Sequence, residues 1–413
     1  MAIPMFGPTL GLALGSALTG CAEDSIYDSV EELGAALFDE PNLSRNRTQS
    51  CSTCHDPERA FTDGRTYPDG PDGPDGPDGP NRMVAAVSLG DDGVSWGDRN
   101  APTAAYASLT PQFHIGTRER HNKQNNNRLY TGALGGQFWD GREPDLEGQA
   151  GGPPLNPLEM GMPDEAVVVE RILQDQEYAR AFVQFFGEDV FDTDERAYAA
   201  MTQSLAAYER TDIFAPFDSR YDRFVRGELE LTFIELTGKS VFFSQFANCS
   251  ICHLLHSEGD PINERVEPFT GYEFHNIGIP VNEQVRQLNG VTEPDVGLQS
   301  HDDTDPDARG KFKVPTLRNV AVTGPYMHNG VFRDLATVVE FYDHFNNMDV
   351  RTTNPETGEP WRPPEIPETV TDLLEVGDPL TDLEVQGLVC FLRALTDERY
   401  EHLIEPKGID CTL

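Results

Sequence analysis

Two short segments of this 413-residue chain carry chemically active residue types at fixed spacing: Cys51-Ser-Thr-Cys54-His55 and Cys249-Ser-Ile-Cys252-His253. Both read C-x-x-C-H, the pattern in which two thiols add to the vinyl groups of a haem and the adjacent histidine ligates its iron. One zinc ion would need all four thiols together, yet the pairs lie far outside the tens-of-residues spacing of such sites. A redox dithiol would leave both histidines without a role. The spacing therefore predicts two covalently bound haem c groups, with His55 and His253 as iron ligands.

The composition agrees with a large apolar cofactor. Hydrophobic residues make up 38% of the chain against 37 Gly and 31 Pro, a thin supply of core for two domains of ordinary size. Asp and Glu number 70 against 31 Lys and Arg, giving a net charge of −39, which repels phosphate backbones and excludes nucleic acid as a partner. A surface of that sign would steer a basic partner. The only long apolar stretch, residues 1–20, ends in Leu18-Thr19-Gly20-Cys21 and reads as a signal peptide of the lipoprotein type. Export to the periplasm or outer membrane is expected, with membrane contact only through a lipid anchor on Cys21. A plain export signal and a buried N-terminal segment are the alternatives. Cys390 and Cys411 remain, and in an exported protein they are expected to bridge the last helix to the tail, with two separate thiols as the alternative.

The elements that must position these residues read as mainly α. Apolar periodicity predicts a helix through Val30, Leu33, Leu37 and Phe38, and helical structure over 165–186, 192–210 and 228–246. Asp192 with Glu195, and Thr381 with Glu384, have capping-box spacing. Leu335, Val338, Val339, Tyr342 and Phe345 share one helical face, which turns Tyr342 inward. Four Asp-Gly-Pro triplets over 69–80 make an acidic loop, and 211–226 reads as a linker. The expected organisation is a signal at 1–20, an N-terminal domain at 21–215 and a C-terminal domain at 216–413.

Longer motifs carry a family resemblance. Arg99-Asn-Ala-Pro-Thr103, Phe138-Trp-Asp-Gly-Arg142, Leu155-Asn-Pro-Leu-Glu-Met160, Phe274-His-Asn-Ile-Gly278, Val314-Pro-Thr-Leu-Arg-Asn-Val320 and Gly324-Pro-Tyr-Met-His-Asn-Gly330 resemble the bacterial di-haem cytochrome c peroxidase and MauG family. The resemblance implies two cytochrome c-like domains, with a peroxide-reacting haem on Cys51, Cys54 and His55 and an electron-transfer haem on Cys249, Cys252 and His253. It further implies Gln149 and Glu159 as the distal pair over the first haem, Pro153 beside the same face, and Trp139 as a relay between the haems. Asn100, Thr323 and Pro325 match positions that hold Ca2+.

In many of these peroxidases a loop histidine closes the first iron at rest; here no histidine lies between Pro57 and Arg99, so an open iron is implied. The second haem's distal methionine is replaced in position by Tyr342, as in MauG. A phenolate there disfavours reduction. Met327, Met348, His328 and His344 remain alternative ligands. The implied function is peroxide-dependent oxidation of a partner protein, with Trp or Tyr side chains as substrates. Peroxide scavenging with electrons from a small cytochrome c is the runner-up, and a non-catalytic di-haem electron carrier the third reading.

Overall fold

Apolar runs at helical spacing, most of them opened by a side-chain cap, build the molecule. The computed structural model describes residues 26–66, 85–119, 129–254, 267–302 and 305–412. Residues 1–20, on which the expected signal falls, Cys21 and the Asp-Gly-Pro run lie outside them. In chain order the helices are α1 (Val30–Phe38), α2 (Cys51–Cys54), α3 (Leu146–Leu155), α4 (Glu165–Leu173), α5 (Gln176–Phe186), α6 (Asp194–Glu209), α7 (Arg220–Val225), α8 (Phe233–Phe242), α9 (Cys249–Cys252), α10 (Glu283–Asn289), α11 (Leu335–His344) and α12 (Asp382–Arg393). No helix among the described residues is long and apolar enough to cross a membrane.

The mainly α class holds, and Thr381 with Glu384 forms the expected capping box of α12. Other boundaries move for local reasons. The stretch 165–186 is two helices, because the Asp175 side chain accepts the Glu177 N–H and starts α5 anew. Helix α6 begins under Thr193 rather than Asp192. Helix α8 begins under Thr232, whose capping box with Glu235 shortens the expected 228–246, and Ser244 accepts the N–H groups of Phe246 and Ala247 in a turn beyond its end. The supposed linker carries α7, held inward by Asp222, which pairs with the fully buried Arg318. An antiparallel hairpin of β1 (His114–Glu119) and β2 (Leu129–Leu134) was not foreseen; Gly116 and Gly132 face each other in it and blur the alternation. A second small ladder joins β3 (Phe274–His275) to β4 (Phe312–Lys313).

Two cores result. The first packs Leu33, Leu37, Phe182, Met201, Leu205 and Phe214; the second packs Tyr221, Phe242, Phe269, Val339, Leu388 and Phe391. In each, a pair of helices crosses at glycine: a Cβ on Gly34 of α1 would collide with Ser204 O of α6, and one on Gly238 of α8 with Gly387 O of α12.

The two halves repeat one local plan. His55 and His253 place Nδ1 at 3.1 Å and 3.0 Å from the carbonyls of Phe61 and Phe269, and both phenylalanines have left-handed backbones, φ 54° and 53°. Thr103 donates to Ala60 O at 2.6 Å, and Thr316 to Pro268 O at 2.7 Å. Three residues on, Tyr106 and Asn319 are again left-handed, φ 63° and 60°, and their N–H groups reach Phe214 O and Leu395 O. The separation from histidine to phenylalanine is 6 residues in one half and 16 in the other, which hides the repeat from a sequence comparison.

On helix propensity alone, Gly238→Ala would stabilise α8 by about 1 kcal/mol. The collision with α12 reverses the sign, and the substitution is expected to cost about 1–3 kcal/mol. Denaturant unfolding of the haem-loaded protein checks this, and an unchanged midpoint would contradict the close crossing.

Candidate active site

At the first motif, Ser50 and Thr53 cap α2 reciprocally and the short helix presents Cys51, Cys54 and His55 together. Burial pushes the Cys51 thiol up and the Cys54 thiol up to about 12, so neither is a free thiolate nucleophile. Burial also holds the His55 pKa down, which keeps its ring neutral. A carbonyl only accepts, so Nδ1–H donates to Phe61 O and Nε2 keeps its lone pair for a metal.

Helix α3 supplies Gln149 and Pro153, one turn apart on the same face. Pro153 and Pro154 remove two donors from the helix, and the chain leaves it through Asn156. The Asn156 amide donates to Glu159 Oε1 at 2.8 Å and its carbonyl accepts the Glu159 N–H at 3.0 Å. Burial raises the Glu159 carboxyl above the ordinary glutamate range, although Arg142 and the Asn156 hydrogen bond oppose the rise. The Glu159 backbone carbonyl accepts the Asp91 N–H at 2.8 Å, and Asp91 in turn bonds Asn46 and Thr48 just ahead of the first motif.

The second motif opens on a cavity of about 340 Å³, lined by Cys249, Cys252, His253, Trp139 and Tyr342 among others. His253, lowered to about 4 by burial, is neutral, and the carbonyl of Phe269 orients it as Phe61 orients His55. Burial raises the Tyr342 phenol, with further contributions from Cys252 and Cys249, so Tyr342 stands close to the thiol pair. Of the alternative ligands, Met348 is 74% exposed. His344 packs between Phe345 and Trp361 and is not among the cavity-lining residues. Met327 and His328 do line the cavity, with His328 stacked on Phe312 at 3.6 Å.

Trp139 lines the cavity of the second motif. Its indole N–H donates to Asn100 O at 2.8 Å, and its carbonyl accepts the Lys313 N–H at 2.7 Å. Asn100, Thr323 and Pro325 line the same cavity, and Asn100 spends its amide donor on Ala86 O. Among the described residues no group of three His, Cys, Asp or Glu is placed to hold a metal. Two groups escaped the sequence reading. Lys313 is half-buried beside Trp139, lowered to about 7 by desolvation and bonded to Gly136 O; its place between Phe312 and Val314 was the available signal. Glu209 is buried near Cys51 and pushed up to about 8; its place one turn after Leu205 on α6 could have flagged it.

Half-buried thiol pairs beside oriented neutral imidazoles fit a haem c at each motif, and the second motif adds an apolar cavity. The family model described as di-haem cytochrome c peroxidase matches residues 28–230. The chain is 48% identical over 383 residues to the methylamine utilization protein MauG of Paracoccus denitrificans, covering 92% of this chain and 91% of that protein. This chain belongs to the di-haem cytochrome c peroxidase and MauG family. It is also 28% identical to the cytochrome c551 peroxidase of Nitrosomonas europaea, over 75% of this chain and 71% of the other. The crystal structure of the diheme peroxidase BthA from Burkholderia thailandensis superposes with a TM-score of 0.74 at 29% identity, covering 94% of this chain and 90% of that one. The two repeats are therefore the two cytochrome c-like domains of a di-haem oxidoreductase that uses hydrogen peroxide.

We propose Glu159 as the base of the peroxide step; a base works only while ionised, and its ionised fraction falls as pH drops through its pKa. With the Glu159 carboxyl raised, the peroxide reaction of this di-haem enzyme should begin to slow at a higher pH than an exposed glutamate would give. Glu159→Gln should slow it by roughly 10²-fold at neutral pH and flatten that limb. Rapid-mixing absorbance across pH checks both; an unchanged rate would show that the acid is structural.

Proposed function

We propose that this enzyme uses peroxide to oxidise Trp or Tyr side chains of a partner protein, in the manner of MauG, and that Tyr342 decides this outcome. The observation that carries the reading is the position of Tyr342, in the cavity with His253 and beside Cys249 and Cys252, where the exposed Met348 is not. A phenolate in an apolar cavity needs a cation beside it, and a haem iron held by His253 and Tyr342 would meet that need. Phenolate ligation by Tyr342 would favour the oxidised state of the second iron, which suits storage of oxidising equivalents and disfavours electron intake from a small cytochrome.

When bound, the haems supply the two-electron reduction of the peroxide O–O bond. The protein does the rest. Glu159, held by Asn156, moves the peroxide proton from the near oxygen to the far one. Gln149 donates from the same side, and Pro153 presents an apolar wall that keeps water from competing. Cys51, Cys54, Cys249 and Cys252 fix the porphyrins, and the carbonyls of Phe61 and Phe269 hold the two imidazoles in the metal-binding tautomer. Trp139, oriented by Asn100, passes electrons between the two centres.

Asn100 Oδ1 with the carbonyls of Thr323 and Pro325 would take a calcium ion, since a hard cation accepts neutral oxygen donors; Asn100 also holds Trp139, so the ion would stiffen the relay. Export is supported by the Cys390–Cys411 disulfide, Cα atoms 5.5 Å apart, which belongs to an oxidising compartment. A lipid anchor on Cys21 would then hold the enzyme at a periplasmic or outer-membrane surface.

Tyr342→Phe should open the second iron and change the ferric spectrum, and Tyr342→Met should raise that haem's potential and shift turnover towards oxidation of small reduced cytochromes. Redox titration and paired assays with a cytochrome donor and a Trp-bearing protein check this. Unaltered spectra and potentials in Tyr342→Phe would place the ligand elsewhere and favour peroxide scavenging.

A further inference from the structure

Between the two repeats lies a buried polar cluster that none of the roles above uses. Asp397, fully buried, accepts the Tyr106 phenol O–H on Oδ1 at 2.5 Å and the Asn319 amide on Oδ2 at 2.8 Å. Tyr106 and Asn319 are the equivalent left-handed residues of the two repeats, so the carboxylate bridges matching points of both domains. Asparagine suits that backbone region, whereas a bulky aromatic there is strained. Something must hold Tyr106 in it, and the phenol's bond to Asp397 does.

The surroundings are those of a phenol prepared to lose an electron and a proton together. Tyr106 is 2% exposed and lines the cavity that contains His253 and Trp139. The guanidinium of Arg318 lies 5.4 Å over its ring, so a cationic radical would be repelled and the proton must leave with the electron. Asp397 is positioned to take that proton, and its carboxyl is already pushed up to about 6 by burial. The Phe217 N–H donates to the phenol oxygen at 3.3 Å, so that oxygen keeps a donor after its own hydrogen has gone. Connection to the first haem's proximal side is short: the Ala104 N–H, two residues before Tyr106, donates to Phe61 O, the same carbonyl that His55 uses.

We propose that Tyr106 is a redox-active tyrosine, oxidised to a neutral tyrosyl radical as its phenol O–H proton passes to Asp397 Oδ1. The O–H bond of Tyr106 breaks, a carboxylic O–H forms on Asp397, and one electron goes to the haem centres already oxidised by hydrogen peroxide. The radical stores an oxidising equivalent at the domain junction while a partner protein docks. The inference rests on the peroxide-dependent di-haem activity and adds a second storage site to it. Asp397 acts as a positioning residue and proton acceptor.

The test is freeze-quench EPR of the holoenzyme mixed with stoichiometric hydrogen peroxide, made with ordinary and with ring-deuterated tyrosine. A radical signal whose hyperfine width narrows on deuteration, and which falls at least tenfold in Tyr106→Phe with normal haem content, is the expected result. Asp397→Asn keeps the ring but removes the acceptor, and should suppress the signal as well. A structural staple would lose stability in these variants and leave the radical untouched. No tyrosine-derived signal while the haem absorbance still responds to peroxide overturns the proposal alone, as does a signal that survives in Tyr106→Phe. No haem response at all overturns the peroxide reading with it.

Discussion

The bond from each haem-binding histidine to a phenylalanine carbonyl is the constraint on which the rest of the molecule depends. A neutral imidazole ligates iron through one nitrogen only if the other carries the proton, and a carbonyl acceptor enforces that tautomer. Phe61 and Phe269 aim their carbonyls by adopting φ values of 54° and 53°, a conformation that costs energy and must be clamped from outside. Thr103 and Thr316 supply the clamp by bonding the preceding carbonyls. The helix crossings at Gly34 and Gly238 then bring α6 and α12 close enough to wall each site. The orientation of the two imidazoles is thus set by backbone geometry more than by side-chain packing.

Burial does the electrostatic work. It keeps His253 neutral and raises both the Tyr342 phenol and the Glu159 carboxyl. One cause serves three ends. The sharply acidic surface adds only a minor share to these shifts, through Asp98 on Glu159; its main effect is on the approach of partners.

Much of the chemistry was legible because it is written in contiguous residues. Cys-x-x-Cys-His needs no folding to be read, and the segments around Trp139, Glu159 and Tyr342 are unbroken runs. The phase of α11 could be counted directly, and the Tyr342 position followed from it. What escaped was built from separated pieces. The internal repeat is masked by unequal loops, and Lys313, Glu209 and Asp397 look like ordinary surface charges until the fold buries them. Segment 211–226 reads as a linker because it contains Pro216 and few apolar positions at a regular period, yet Asp222 ties it to Arg318, a partner far along the chain. The starts of α5, α6 and α8 shifted because nearby Asp and Thr residues competed to cap them, and the winner depends on backbone angles that spacing does not encode.

The central claim is that two similarly built haem sites act together on peroxide, the first with an iron open to it at rest. Fully ferric protein that has never been reduced, mixed rapidly with one equivalent of hydrogen peroxide, tests this most directly. The account predicts a prompt Soret change in which both haem components lose their ferric character together. Reaction only after one haem has first been reduced, or a change confined to the first haem, would contradict it.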